Sequence, residues 1–89
     1  MTRKYTKVPA ISGKKLIKLL KKDDWIAKRH AQHGVALAKS FAGRTRVTWI
    51  PDTSASIDDG TLAAILGPKQ TGIGKKGLLD LINKFGLRG

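Results

Sequence analysis

The sequence contains no cysteine. That excludes a disulfide framework, thiolate metal sites and a cysteine nucleophile. Histidine is scarce, with two residues, and six acidic side chains face eighteen Lys and Arg. So few clustered carboxylates and imidazoles give little from which to build a structural zinc site. Long apolar runs are missing as well. No stretch approaches the roughly 20 apolar residues of a membrane span, and the basic Met1–Lys7 stretch is not followed by a signal-peptide core. Aromatics make up only 6%. No Trp- or Phe-rich helix face accompanies the lysines, which argues against an anionic membrane as partner. These absences fit a cytoplasmic protein without metal or cofactor. With 89 residues, the chain is long enough for one domain and a modest core.

What is present in excess is positive charge. The net charge is +12 and the pI is near 10.5. Such a field attracts polyanions, of which nucleic acid is the commonest. A basic, merely soluble surface is the plainer alternative.

The chain divides into a basic arm, residues 1–10, and a single domain, residues 11–89. Ser12 can cap a helix over Gly13–Lys22, because its hydroxyl can accept from first-turn amides. Leu16, Ile17, Leu19 and Leu20 recur at helical spacing, and Lys14, Lys15, Lys18, Lys21 and Lys22 fill the other face, as a solvated surface or as direct phosphate contacts. Asp23 and Asp24 suggest a turn. Strands are expected at Trp25–His30, Val35–Lys39 and Thr45–Ile50, with Ser40–Arg44 connecting the last two. Val47 and Trp49 share a strand face, which is assigned to the core. A short helical segment is expected over Thr61–Leu66, stopped by Gly67 and Pro68, and a final helix over Lys75–Phe85, stopped by Gly86. The buried seam of the last helix should be Leu78, Leu81, Ile82 and Phe85. Between these helices, Lys69–Gly74 reads as a flexible connection. Its glycines and lysine could cradle a phosphate, but their spacing is not that of a P-loop. The expected fold class is therefore α+β: a helix, a three-stranded antiparallel sheet, and C-terminal helices on one sheet face.

Chemistry, if there is any, belongs to Lys28–Leu37. This stretch holds both histidines, a basic pair ahead of them and Gly34 just after the second. His33 is the main catalytic candidate and His30 a possible helper. Imidazole suits proton transfer because its reference pKa of roughly 6.5 leaves both forms populated near neutral pH. Lys28, Arg29, Lys39, Arg44 and Arg46 are the candidate RNA-binding cations on or near the sheet. If Val35 and Leu37 face the core, strict alternation sends His33 there too. A bulge at Gly34, or a strand that begins only at Val35, would free it.

The pattern resembles the HicA family of toxin ribonucleases, whose fold is similar to the double-stranded RNA-binding domain. Ile11, Ser12, Gly13 and Lys14, followed by Leu16, Ile17, Leu19 and Leu20, look like the family's first helix. Asp23, Asp24 and Trp25 look like its acidic–glycine–aromatic turn, with Asp24 where glycine is usual. The family's Gly-Ser-His motif becomes Ala31, Gln32 and His33 here, behind Arg29. Gly77, Leu79, Ile82, Gly86 and Leu87 are similar to its closing motif. Gly60, Thr61, Leu62 and Ile65 match the first half of that motif, which would make an additional helical segment.

The resemblance implies an endoribonuclease that cleaves messenger RNA without a metal, with His33 as general acid and base, neutralised by a HicB-type antitoxin. Lys28, Arg29, Arg44 or Arg46 could then stabilise charge on the reacting phosphorus. Loss of Gly-Ser leaves open a non-catalytic RNA- or DNA-binding module on the same fold.

Overall fold

The computed structural model describes residues 8–86 and shows an α+β fold. Helix α1 (Gly13–Lys22) comes first. Strands β1 (Ile26–Ala31), β2 (Gly34–Phe41) and β3 (Arg44–Pro51) follow, then helices α2 (Asp59–Leu66) and α3 (Gly74–Phe85). The sheet is antiparallel in the order β1-β2-β3. Of the basic arm assigned to residues 1–10, positions 1–7 lie outside the described residues.

Helix α1 forms as its sequence dictates. The Ser12 hydroxyl accepts from the Lys15 amide at 3.2 Å, and Leu16, Ile17, Leu19 and Leu20 are all buried. Gly13 is also buried, because α1 begins against the end of β3. A Cβ at Gly13 would run into the Pro51 carbonyl oxygen. Lys14 secures the same junction, with its amide donating to Thr53 O at 3.1 Å and its ammonium pairing with Asp52 at 3.1 Å.

Paired residues in a ladder share a face. Val35 pairs with Ile50 and Leu37 with Thr48, and all four are buried under the helices. The core adds Ile11, Trp25, Ile57, Leu62, Ile65, Leu66, Leu78, Leu81 and Ile82. Phe85 is half-buried and packs against this cluster.

The assignment of Val47 and Trp49 to the core is corrected. Thr48 is 1% exposed, whereas Val47 is 54% and Trp49 43% exposed. The strand is in the opposite register because Ile50 and Thr48 fill the helix side together. Burial of Thr48 is tolerable because its hydroxyl donates to Gln70 Oε1 at 2.7 Å. A buried hydroxyl without a partner costs about 1–3 kcal/mol. Gln70 lies 22 residues away in sequence, so the strand's own residues do not reveal this compensation.

Both hairpins are tighter than expected. Ala42 and Gly43 alone join β2 to β3, with φ of 47° and 84°. Two positive φ values mark the turn type whose twist matches the strands. Gln32 and His33 alone join β1 to β2.

Candidate nucleic-acid interface

His33 stands in the two-residue turn between β1 and β2 and is exposed. The strand begins at Gly34, not Val35, and Gly34 pairs regularly with Ala31 and Pro51. No bulge is needed there, because the histidine precedes the ladder. The Asp52 amide donates to the His33 carbonyl oxygen at 3.4 Å. The end of β3 and the Lys14–Asp52 pair therefore border the turn. Sequence reading gave Asp52 no site role and left Lys14, with the other α1 lysines, between a solvated face and phosphate contact. They are 38 residues apart, and lysines are common on a solvated helix face.

The bulge lies elsewhere. In β1 the register shifts between Ala27 and Arg29, so Ala27 pairs with Leu37 and Arg29 with Ala36. Without the extra residue, Arg29 would share the side of Ala27, facing the helices. With it, Lys28 and Arg29 both serve the outer face. A bulge re-aims side chains in this way. His30 pairs with Val35 and so lies on the helix side, though at the sheet edge and exposed. His30 and Arg29 are on opposite faces.

Of the five candidate cations, only Lys28 and Arg29 lie toward the His33 end. Arg29 is opposite Ala36, about 10 Å of strand from His33. Lys39 and Arg46 face each other six residues along β2, about 20 Å away, and Arg44 pairs with Phe41 about 25 Å away. The screening length at physiological salt is about 8 Å. These three cations therefore cannot stabilise charge that develops at His33.

Two of the three are also engaged. Lys39 pairs with Asp23 at 3.2 Å and lies 5.0 Å from the Phe41 ring centre. Arg46 donates to the carbonyl oxygens of Pro68 at 2.9 Å and Gln70 at 3.3 Å. That clamp holds the Pro68–Gly72 loop along the edge of β3, where Gln70 Oε1 also accepts from the Trp49 amide at 3.2 Å. The loop does not form an anion cradle. The amides of Gln70 and Gly72 donate to Gly67 O, and that of Thr71 to Ile65 O. Arg44 is exposed at the far hairpin.

The His33 imidazole makes no hydrogen bond among the described residues. No group of three His, Asp or Glu side chains among them is placed to hold a metal ion. No described helix is long and apolar enough to cross a membrane. Comparison of the chain with protein families, with curated proteins and with solved structures gives no match.

Proposed function

We propose that the protein is an RNA-binding ribonuclease of the HicA toxin type, with His33 as its general acid and base. The observation that carries this reading is the position of His33. The imidazole makes no hydrogen bond among the described residues and stands exposed in the β1–β2 turn of a helix–three-strand–helix fold with a net charge of +12. Two local features support the resemblance. Asp24, where the family has glycine, has φ 71°, a conformation that glycine adopts most readily. Ile11, Ser12, Gly13 and Lys14 each have a structural use: a core residue, the α1 cap, and a close backbone approach and an ion pair at the α1–β3 junction.

RNA brings its own nucleophile. The 2′-hydroxyl oxygen attacks the adjacent phosphorus while His33 takes the hydroxyl proton. The P–O5′ bond breaks, and the imidazolium returns the proton to the departing 5′-oxygen. The products are a 2′,3′-cyclic phosphate and a 5′-hydroxyl. One positioned acid–base group contributes about 10²–10⁴ in rate. Arg29 and Lys28 are the expected cations that remain close enough to serve the phosphate. A HicB-type antitoxin goes with this reading, and an acidic surface would complement the charge.

A binding module without catalysis is the second reading. It is favoured by the replacement of Gly-Ser with Ala31 and Gln32 and by the absence, among the described residues, of a partner that would orient the His33 ring. One assay separates the two. Wild type, His33→Ala and His30→Ala are incubated with the same RNA, and circular dichroism verifies folding. His33→Ala should lose cleavage by about 10²–10⁴-fold while still binding RNA, His30→Ala should lose little, and a chelator should change nothing. A 2′-deoxyribose at the cleavage position should block the reaction. Wild-type cleavage by folded His33→Ala would overturn the assignment. RNA binding without cleavage by any form would establish the second reading.

A further inference from the structure

Among the described residues, nothing covers the sheet face turned away from the helices. Its residues form rows across the three strands: Ile26–Ala38–Val47, then Arg29–Ala36–Trp49, then Ala31–Gly34–Pro51. The central strand contributes only small side chains, so the face is a trough along β2 with larger residues on its flanks. Toward one end lies a shallow concavity of about 380 Å³, lined in part by Ile26, Lys28, Ala38 and Thr45. At the other end lies the Trp49 indole, set over Gly34. A Cβ at Gly34 would fall 2.6 Å from Trp49 Cε2 and 2.7 Å from Cζ2. One side of the ring therefore rests on backbone, and the residue is still substantially exposed. The β1 bulge brings Lys28 and Arg29 to the same face.

We propose that this face holds single-stranded RNA, with one base stacked on the open side of Trp49 and Lys28 and Arg29 holding adjacent phosphates. The inference rests on the RNA-binding reading and adds a site to it. An aromatic platform beside cations suits a single strand, since every base presents a π-face and the backbone is anionic. A second copy of the chain would bring Lys28 and Arg29 against the same cations on a molecule of charge +12, so face-to-face pairing is opposed. Gly34, under the indole, directly follows His33. A base on Trp49 would therefore lie beside the catalytic turn. Bases inside a duplex are already stacked on their neighbours, so the platform selects unpaired RNA.

Fluorescence reads this directly, because Trp49 is exposed and Trp25 is buried. The full chain is titrated with a short single-stranded oligoadenylate, with the same strand in an A·U duplex, and with polyglutamate. Single-stranded RNA should quench the exposed indole. Trp49→Ala should weaken that binding roughly ten- to hundred-fold, and Trp49→Phe, which keeps a ring, should recover most of it. Lys28→Gln with Arg29→Gln should reduce the salt slope by about 1.4, at about 0.7 per phosphate contact. Circular dichroism checks that each variant folds. Unchanged affinity in Trp49→Ala, with RNA binding intact, would overturn the stacking site and leave the RNA-binding reading standing. Failure of the wild type to bind any RNA would end both. Polyglutamate that quenches Trp49 and displaces RNA from wild type and Trp49→Ala alike would instead make the face a protein-docking surface.

Discussion

On one side of the sheet, Val35, Leu37, Thr48 and Ile50 lie under three helices, and the hydroxyl among them is bonded to Gln70. On the other, Ile26, Val47 and Trp49 stand in solvent beside Lys28 and Arg29. The same strands build both faces, yet hydrophobicity does not sort them, since a threonine is inside and a tryptophan outside. Stability comes from the covered side, where full burial of each aliphatic side chain contributes about 1.5–3 kcal/mol. The open side adds little to the fold.

Paired truncations test that division most strongly. Leu37→Ala should cost about 2–5 kcal/mol, because it leaves a cavity under the helices. Val47→Ala should stay within about 0.5 kcal/mol, as for an exposed site. Urea unfolding followed by circular dichroism measures both. Similar losses at the two positions would mean that the outer face is covered in solution.

A smaller effect should come from the compensation that allows Thr48 inside. Gln70→Ala strands the Thr48 hydroxyl, at a cost of about 1–3 kcal/mol. Adding Thr48→Val should recover much of that loss, because the orphaned polar group disappears. The Trp49 amide, which Gln70 also accepts from, should exchange with solvent faster in Gln70→Ala. A double variant no more stable than Gln70→Ala would show that the hydroxyl does not need its partner.

These contacts also mark where the sequence could be read. Helix α1 was legible because its stripe, its cap and its bounds are all local. The three strands, their order and both C-terminal helices were legible from alternation, glycines and prolines. The inner face of β3 was not. Val47 and Trp49 outweigh Thr48 in hydrophobicity, and the group that satisfies Thr48 comes from a distant loop. The surroundings of the candidate His33 were not legible, since Asp52 and Lys14 reach the turn only through the α1–β3 junction. The contacts of Lys39 with Asp23 and of Arg46 with the Pro68–Gly72 loop were not legible either, because both partners are distant in sequence. The β1 bulge, which aims Arg29 outward, left no signal in Ile26–Ala31.

The smallest expected effect is a pH dependence at the cap of α2. Asp58 caps α2, which supplies Leu62, Ile65 and Leu66 to the core. Its carboxylate accepts from the Thr61 hydroxyl at 2.7 Å and the Thr61 amide at 3.1 Å, and these bonds, the hydroxyl first, hold its pKa below the ordinary aspartate value. A carboxyl whose folded pKa is depressed binds fewer protons folded than unfolded. Its stabilisation is complete above the unfolded value of about 3.9 and is lost as pH falls through the folded one. Asp58→Asn keeps a side chain that caps well and removes the titration. The thermal midpoint of the wild type should therefore fall more steeply with acid than that of Asp58→Asn, with the difference opening below about pH 4. Lys28 and Arg29 stay charged throughout that range, so the open face should keep its attraction for anions as the cap of α2 weakens. Equal slopes in wild type and variant would mean that the Thr61 bonds do not favour the ionised cap in solution.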